Sequence, residues 1–257
     1  MKKLCKVWFL LITGVCASLH SQTYVSLSIE KLEKIENGVG LEITISNNSS
    51  ETYVIPIDTV GFKTYFRDNP CTEFDLIRNY PDLGFVPMIM NNDNSFVDAM
   101  SADKGTLIKQ HDIFSKSDKK YKKEQKRILK SWKKKNQLND KDIEWIKINH
   151  YLYTHLVTLQ PQQKISYKTS INFHKINEQS DIYLYYFYPL ETNTEYQMFL
   201  KLCTDESIYQ YLTKEQQQRF KDYTFFTGEL LSNAINLRNW DIKTAINGSV
   251  SDMLMKK

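Results

Sequence analysis

The stretch "YVSLSIEKLEKIENGVGLEITIS", residues 24–46, decides the fold class. Val25, Leu27 and Ile29 alternate with polar residues before Asn37-Gly38, and Val39, Leu41, Ile43 and Ile45 resume the same period after it. Successive side chains of a strand point to opposite faces, so a period of two marks a strand with one buried face. Asn-Gly tolerates the positive φ values that a tight hairpin turn requires. An antiparallel hairpin is therefore predicted to open the folded part of the chain.

Working outward toward the C-terminus, the polar run "SNNSSE" (46–51) makes the next turn, and Tyr53, Ile55 and Ile57 begin another alternating run. Pro56 has no N–H to give to a ladder, which predicts an edge position for this strand. Across 62–100 the pattern blurs. Pro70, Pro81, Pro87 and "NNDNS" (91–95) divide it into loops and short strands such as 86–90. Strand signals return in "HLVTLQPQQKISYKTSINF" (155–173), with a turn at Pro161 followed by Ile165, Tyr167, Ile171 and Phe173. The run "DIYLYYFYP" (181–189) reads as a largely buried strand. Residues 204–223 read as helical, with Thr213 and Gln216 placed as a capping box, and "YTFFTGELLSNAINL" (223–237) reads as the last strand. The tail beyond Trp240 has no readable pattern.

Toward the N-terminus, residues 1–21 have the form of an export signal: Lys2, Lys3 and Lys6, an apolar core "VWFLLIT" at 7–13, then small residues. That core is shorter than the roughly twenty apolar residues a membrane helix needs, and no later run reaches that length. Cleavage is expected near Ser21, before Gln22, leaving a soluble mature protein outside the cytoplasm, periplasmic or associated with the outer envelope. Lipid attachment at Cys16 is the alternative, but Val15 stands where such signals want a small residue. About 236 mature residues suffice for one good-sized core, and one domain with an insertion is the preferred organisation.

Charge is segregated along the chain. The formal net charge is +4, and the leader holds three lysines and no acid, so the mature chain carries about +1. Residues 116–147 hold thirteen basic and five acidic side chains, a net +8, which leaves about −7 for everything else. The centre of that segment is "KKYKKEQKRILKSWKKK" (119–135), with ten Lys and Arg against the single Glu124. Tyr121, Gln125, Ile128, Leu129 and Trp132 fall at helical spacing within it. A second helix carrying Ile143, Trp145 and Ile146 is expected to start at an Asn139 or Asp140 cap, completing a basic helical hairpin.

Like charges at helical spacing repel by a few tenths of a kcal/mol per pair, a cost an anionic partner relieves. Lys119, Lys122, Lys123, Lys126, Arg127, Lys130, Lys133 and Lys134 are therefore the candidate binding residues. The competing reading is a solvated face whose apolar stripe docks on the neighbouring helix. The partner class implied is an anionic envelope component or an acidic protein, including the acidic remainder of a second copy. Nucleic acid is not expected, because an exported chain seldom meets it and no base-stacking motif accompanies the lysines. The sequence sets no oligomeric state.

Several strands paired by short turns and interrupted by helices point to a mainly β fold with helical insertions. Three pieces carry a resemblance: "LEITISNNSSETYVIPI" (41–57), "LVTLQPQQKISYKTSI" (156–171) and "FTGELLSNAINL" (226–237) resemble the early, middle and last strands of bacterial exported immunoglobulin-like domains. In such domains an LxPxQ or LxPGE turn precedes a strand, and an aromatic-x-G…SN segment supplies the final one. Gln162 stands here where Gly is usual, and a helical insertion of some fifty residues interrupts the pattern. The resemblance implies an antiparallel immunoglobulin-like β-sandwich carrying the basic hairpin, and it implies no activity. The expected organisation is a signal peptide at 1–21, first strands at 22–101, the basic insertion at 102–150, the remaining strands with a helical connection at 151–239, and a tail at 240–257.

Sites for chemistry are sparse. Cys71 and Cys203 are the only cysteines after the leader, and in an oxidising compartment they are expected to form a disulfide. No nucleophile elbow, HExxH, P-loop or dinucleotide glycine pattern occurs, so no cofactor is implied and the chain reads as non-enzymatic. The alternatives are an enzyme with its site on the 68–98 loops, or a purely structural subunit. His150 and His155, five apart, do not share a face and read as surface or core histidines. Asn91, Asp93, Ser95 and Asp98 space oxygens as calcium loops do, but the loop lacks the usual Gly and terminal Glu, so it reads as a polar turn. The aromatic run at 181–189 reads as core in preference to a sugar-stacking platform.

Overall fold

The computed structural model of the protein describes residues 24–35, 38–67, 74–75, 80–81, 83–103, 111–176, 184–191 and 194–237. The leader, Cys71, residues 181–183 and the tail beyond Leu237 lie outside the described residues. Of the described residues 43% are in strands and 24% in helices, a mainly β fold with several sheets and, among those residues, no closed barrel. In chain order the strands are β1 (Val25–Ile35), β2 (Gly38–Asn47), β3 (Tyr53–Pro56), β4 (Asp58–Phe62), β5 (Phe74–Asp75), β6 (Tyr80–Pro81), β7 (Gly84–Asn91) and β8 (Met100–Asp103). Helices α1 (His111–Lys135) and α2 (Ile143–Thr154) follow, then β9 (Leu156–Leu159), β10 (Lys164–Ile171), β11 (Leu184–Phe187) and β12 (Tyr196–Thr204). A 3-10 turn (Glu206–Tyr211), α3 (Lys214–Arg219), β13 (Thr224–Phe225), β14 (Gly228–Leu231) and β15 (Ile235–Leu237) complete the described residues.

The opening hairpin forms as its alternation predicts. β1 runs antiparallel to β2, from Val25 opposite Asn47 to Ile35 opposite Gly38. β10 covers the other edge of β2, from Lys164 opposite Ser46 to Ile171 opposite Val39. Gly38 has φ 150°, and a Cβ there would land on the Ile171 carbonyl oxygen, so the close approach of β10 admits only glycine. The alternation of β1 is buried at Val25, Leu27 and Ile29, then stops where its register shifts between Ile29 and Lys31.

A second sheet runs β14-β12-β7-β4, with β15 beside β14 on the same side of β12. Val39, Leu41, Ile43 and Ile45 of β2 share one apolar cluster with Phe85 and Ile89 of β7 and with Met198, Leu200 and Leu202 of β12. The segment Ser232-Asn233 joins the two sheets. Ser232 N–H donates to Leu200 O and its Oγ accepts from Leu200 N, while Asn233 Oδ1 accepts from Ile29 N at 2.8 Å and its Nδ2 donates to Ile29 O at 3.2 Å. Residues 223–237 therefore do not form the single strand expected. The chain leaves the edge of β12 so that Asn233 can satisfy β1 at its irregularity.

Other local expectations are corrected in the same way. β3 is not an edge strand, because β9 pairs it antiparallel and β13 pairs it parallel. β13 reaches only Tyr53 and Val54, so Pro56 sits past its end, where no donor is required. The β4–β7 pair is also parallel, so the sheets are not wholly antiparallel. Pro87 lies inside β7, opposite Leu200 of β12, and β4 pairs β7 only as far as Phe85. The helix expected over 204–223 breaks in two at Leu212, because Thr213 takes the extended backbone of an N-cap and forms the predicted capping box with Gln216. Gln162, at the position where the resemblance wants glycine, has φ 60° and donates from Nε2 to Ser49 O at 3.1 Å. That bond helps hold the unfavourable backbone.

Candidate functional site

α1 is 25 residues long, about 37 Å at 1.5 Å per residue. Its C-terminal half docks on α2 through a small core of Leu129, Leu138 and Ile146, with Trp132 and Trp145 packed against it. Of the predicted stripe, Leu129 and Trp132 form the docking face, Gln125 and Ile128 are half-buried, and Tyr121 remains 50% exposed. The link between the helices closes with Leu138 N donating to Lys133 O and with Gln137 at φ 54°. α2 is capped by Asp142, whose Oδ1 accepts from Trp145 N at 2.8 Å, not by Asn139 or Asp140. α2 runs to Thr154 and leads directly into β9, four residues past the expected boundary at 150.

A polar cluster without a signal in the charge pattern anchors this hairpin. Asn149, fully buried, accepts from Trp132 Nε1 at 2.8 Å and donates to Tyr211 O and Gln216 Oε1, each at 2.6 Å. Gln216 Oε1 also accepts from Thr213 N. One amide thereby ties α1, the 3-10 turn and α3 to α2. The available signal was spacing: Asn149 lies three residues after Ile146 and three before Leu152, both fully buried, so a polar residue occupied an apolar position.

The candidate binding residues fall on the side of α1 away from this packing. At about 100° per residue, Lys119, Lys120, Lys122, Lys123, Lys126, Arg127, Lys130, Lys133 and Lys134 occupy an arc of about 160°, opposite the docking stripe. Lys119, Lys122, Lys123, Lys126, Lys130 and Lys134 are exposed. Arg127 is exposed but forked onto Glu124, with contacts of 3.1 and 2.6 Å. That guanidinium holds the Glu124 carboxyl below the usual carboxylate range. Lys133 is half-buried and donates to Lys141 O at 3.3 Å, so it belongs to the hairpin link more than to the open face.

The remaining sequence candidates have local structural uses. Asn91 Oδ1 and Asp93 Oδ1 both accept from Ser95 N, Asn91 Oδ1 also accepts from Ser95 Oγ, and Asp98 Oδ1 accepts from Arg67 N. These oxygens fold the turn on itself. His150 packs edge-on against Trp132 at 5.0 Å, and burial, with a smaller contribution from the charge of His155, pushes its pKa down. His155 caps α2, its Nδ1 2.7 Å from Tyr151 O. In the aromatic run, Tyr188 is fully buried, its hydroxyl donating to Pro87 O at 2.6 Å and accepting from Tyr65 N at 2.8 Å, while Tyr186 is half-buried against Phe66. Cys203 is half-buried on β12, opposite Glu229, and its expected partner Cys71 lies outside the described residues.

A cleft of about 580 Å³ at one end of the second sheet is lined by Asn91, Asn92, Asn94, Glu195, Gln197 and Asn236, among others. Among the described residues no three His, Cys, Asp or Glu side chains are grouped to hold a metal ion, and no helix is long and apolar enough to cross a membrane. No protein-family model, curated protein or solved structure matches the chain.

Proposed function

We propose that the chain is an exported, non-enzymatic interaction protein of the cell envelope, in which an immunoglobulin-like β-sandwich carries α1 to an anionic partner. The observation that carries this reading is the one-sided face of α1 between Lys119 and Lys135: eight exposed cations within about 160° of arc, with Glu124, the single carboxylate of that stretch, already paired to Arg127. A merely solvated helix mixes signs and gains pairs three and four residues apart. α1 docks on α2 through Leu129 and Trp132, and the lysines of the face other than Lys133 are left facing water. The sandwich reading is supported by the shared core of the two sheets and by the Ser232-Asn233 crossing between them. Export is supported by the charged start and short apolar core of residues 1–21.

The test is binding to an acidic polysaccharide or to vesicles containing anionic lipid over a salt series, for the parent and for a variant with Lys122, Lys126, Lys130 and Lys134 changed to Gln. Lys133 is left in place because it holds the hairpin link. The parent binds at low salt and releases steeply toward physiological salt, since exposed charges are screened over about 8 to 10 Å. The variant loses binding with its stability unchanged within about 0.5 kcal/mol. Equal binding by parent and variant refutes the reading.

A further inference from the structure

We infer that the partner of α1 is an extended polyanion, a linear acidic polysaccharide lying along the helix axis, and not a bilayer or a folded acidic protein. The inference rests on α1 being the contact surface and names what that surface takes. Three features of the helix separate these partners.

The first is the fate of the apolar residues. A helix that lies in a membrane interface needs an apolar face to bury beside its basic one. In α1 that face is committed: Leu129 is buried with Leu138 and Ile146, and Trp132 packs on the same cluster and bonds to Asn149. Between Lys119 and Lys135, Tyr121 is the one strongly exposed large apolar side chain, and one tyrosine does not make an inserting face.

The second is the chemistry of the cations. Folded protein interfaces favour Arg and are depleted in Lys, because a planar guanidinium fixes geometry while an ammonium is a mobile point charge. The basic face holds seven exposed lysines and one arginine, and Arg127 is already forked onto Glu124. Point charges on flexible stems suit a ligand whose charges repeat along a chain without one fixed arrangement.

The third is the shape of the row. Lys119, Lys122, Lys123, Lys126, Lys130 and Lys134 follow one side of a straight helix, with a step of about 5.4 Å per turn and an overall run of about 22 Å. A linear polymer with one carboxylate per sugar can neutralise such a row lysine by lysine, releasing its counterions as it does so. A compact anion meets only two or three of these side chains.

The experiment measures binding of the full mature chain to oligogalacturonates of increasing length, with galacturonate monomer at matched total charge and anionic vesicles as separate arms. Affinity per molecule should rise at least tenfold from the disaccharide to the octasaccharide and then level off once the oligomer spans the row. The slope of log affinity against log salt for the octasaccharide should fall by about one for each Lys→Gln change among Lys122, Lys126, Lys130 and Lys134. Affinity per charge that is the same for monomer and octasaccharide, or lysine-dependent binding to vesicles with none to any oligomer, overturns the extended-polyanion assignment while leaving α1 as an anion-contacting face. Octasaccharide binding that survives all four changes overturns both.

Discussion

Asn149 shows how much of this molecule depends on single polar side chains in apolar surroundings. Its amide is fully buried and bonded to Trp132, Tyr211 and Gln216, so removing it strands an indole N–H and a glutamine amide away from water. Unsatisfied buried groups cost about 1 to 3 kcal/mol each. Asn149→Ala should therefore lower stability by about 2 to 4 kcal/mol, read as a drop in urea midpoint with an unchanged slope. His150, one residue on, gives a pH dependence. Burial makes its charged form unfavourable in the folded chain, so the unfolded chain binds the proton first as pH falls. Stability is then full above the ordinary histidine value of about 6.5 and declines below it. His174 is shifted in the same direction by its own burial. Melting temperature should fall as pH drops from about 7 to about 5, in a window above that of the exposed carboxylates, and His150→Gln should flatten part of that slope.

Element-scale behaviour follows from which backbone groups each segment must satisfy. Asn233 gives β1 an acceptor and a donor at Ile29, where the β1–β2 register shifts. Asn233→Ala should cost about 1 to 3 kcal/mol and speed amide exchange at Ile29, which hydrogen-exchange mass spectrometry of the β1 peptide can read. Strands with clean alternation were legible in the sequence: Val25, Leu27 and Ile29 against Val39, Leu41, Ile43 and Ile45 defined the opening hairpin with its burial. The α1 docking positions Leu129 and Trp132 were legible for the same reason, as was the Thr213 capping box. What was not legible was set by tertiary partners. Nothing local to "YTFFTGELLSNAINL" says that Asn233 reaches β1, so three short strands read as one. Pro56 signalled a missing donor but not that β13 stops short of it. The cations of α1 were visible as a run, whereas the withdrawal of Lys133 into the link with Lys141 depends on how the hairpin folds back.

At the scale of the whole molecule, the charge is segregated along the chain into a basic segment at 116–147 and an acidic remainder, and α1 docks on α2 through Leu129 and Trp132. Such a dipolar field steers anionic ligands to one end and weakens with salt. The body is held together across its length by contacts distant in sequence, and the proposed Cys71–Cys203 bond would add to them. Closing a loop of more than a hundred residues restricts the unfolded chain by about 4 to 5 kcal/mol in the loop-entropy model. Reduction should accordingly lower the melting temperature of the mature protein, and peptide mapping without reduction should recover the linked pair; two free thiols in protein from its native compartment would contradict the pairing. The anion-contacting face is tested most directly by lysine acylation footprinting, with and without a saturating acidic oligosaccharide at low salt. Lys119, Lys122, Lys123, Lys126, Lys130 and Lys134 should each lose reactivity together when the oligosaccharide is present, while exposed Lys164 and Lys168 on β10 react unchanged. Protection centred on β10 or any surface other than α1, or none at all, would contradict the assignment of α1 as the contact surface.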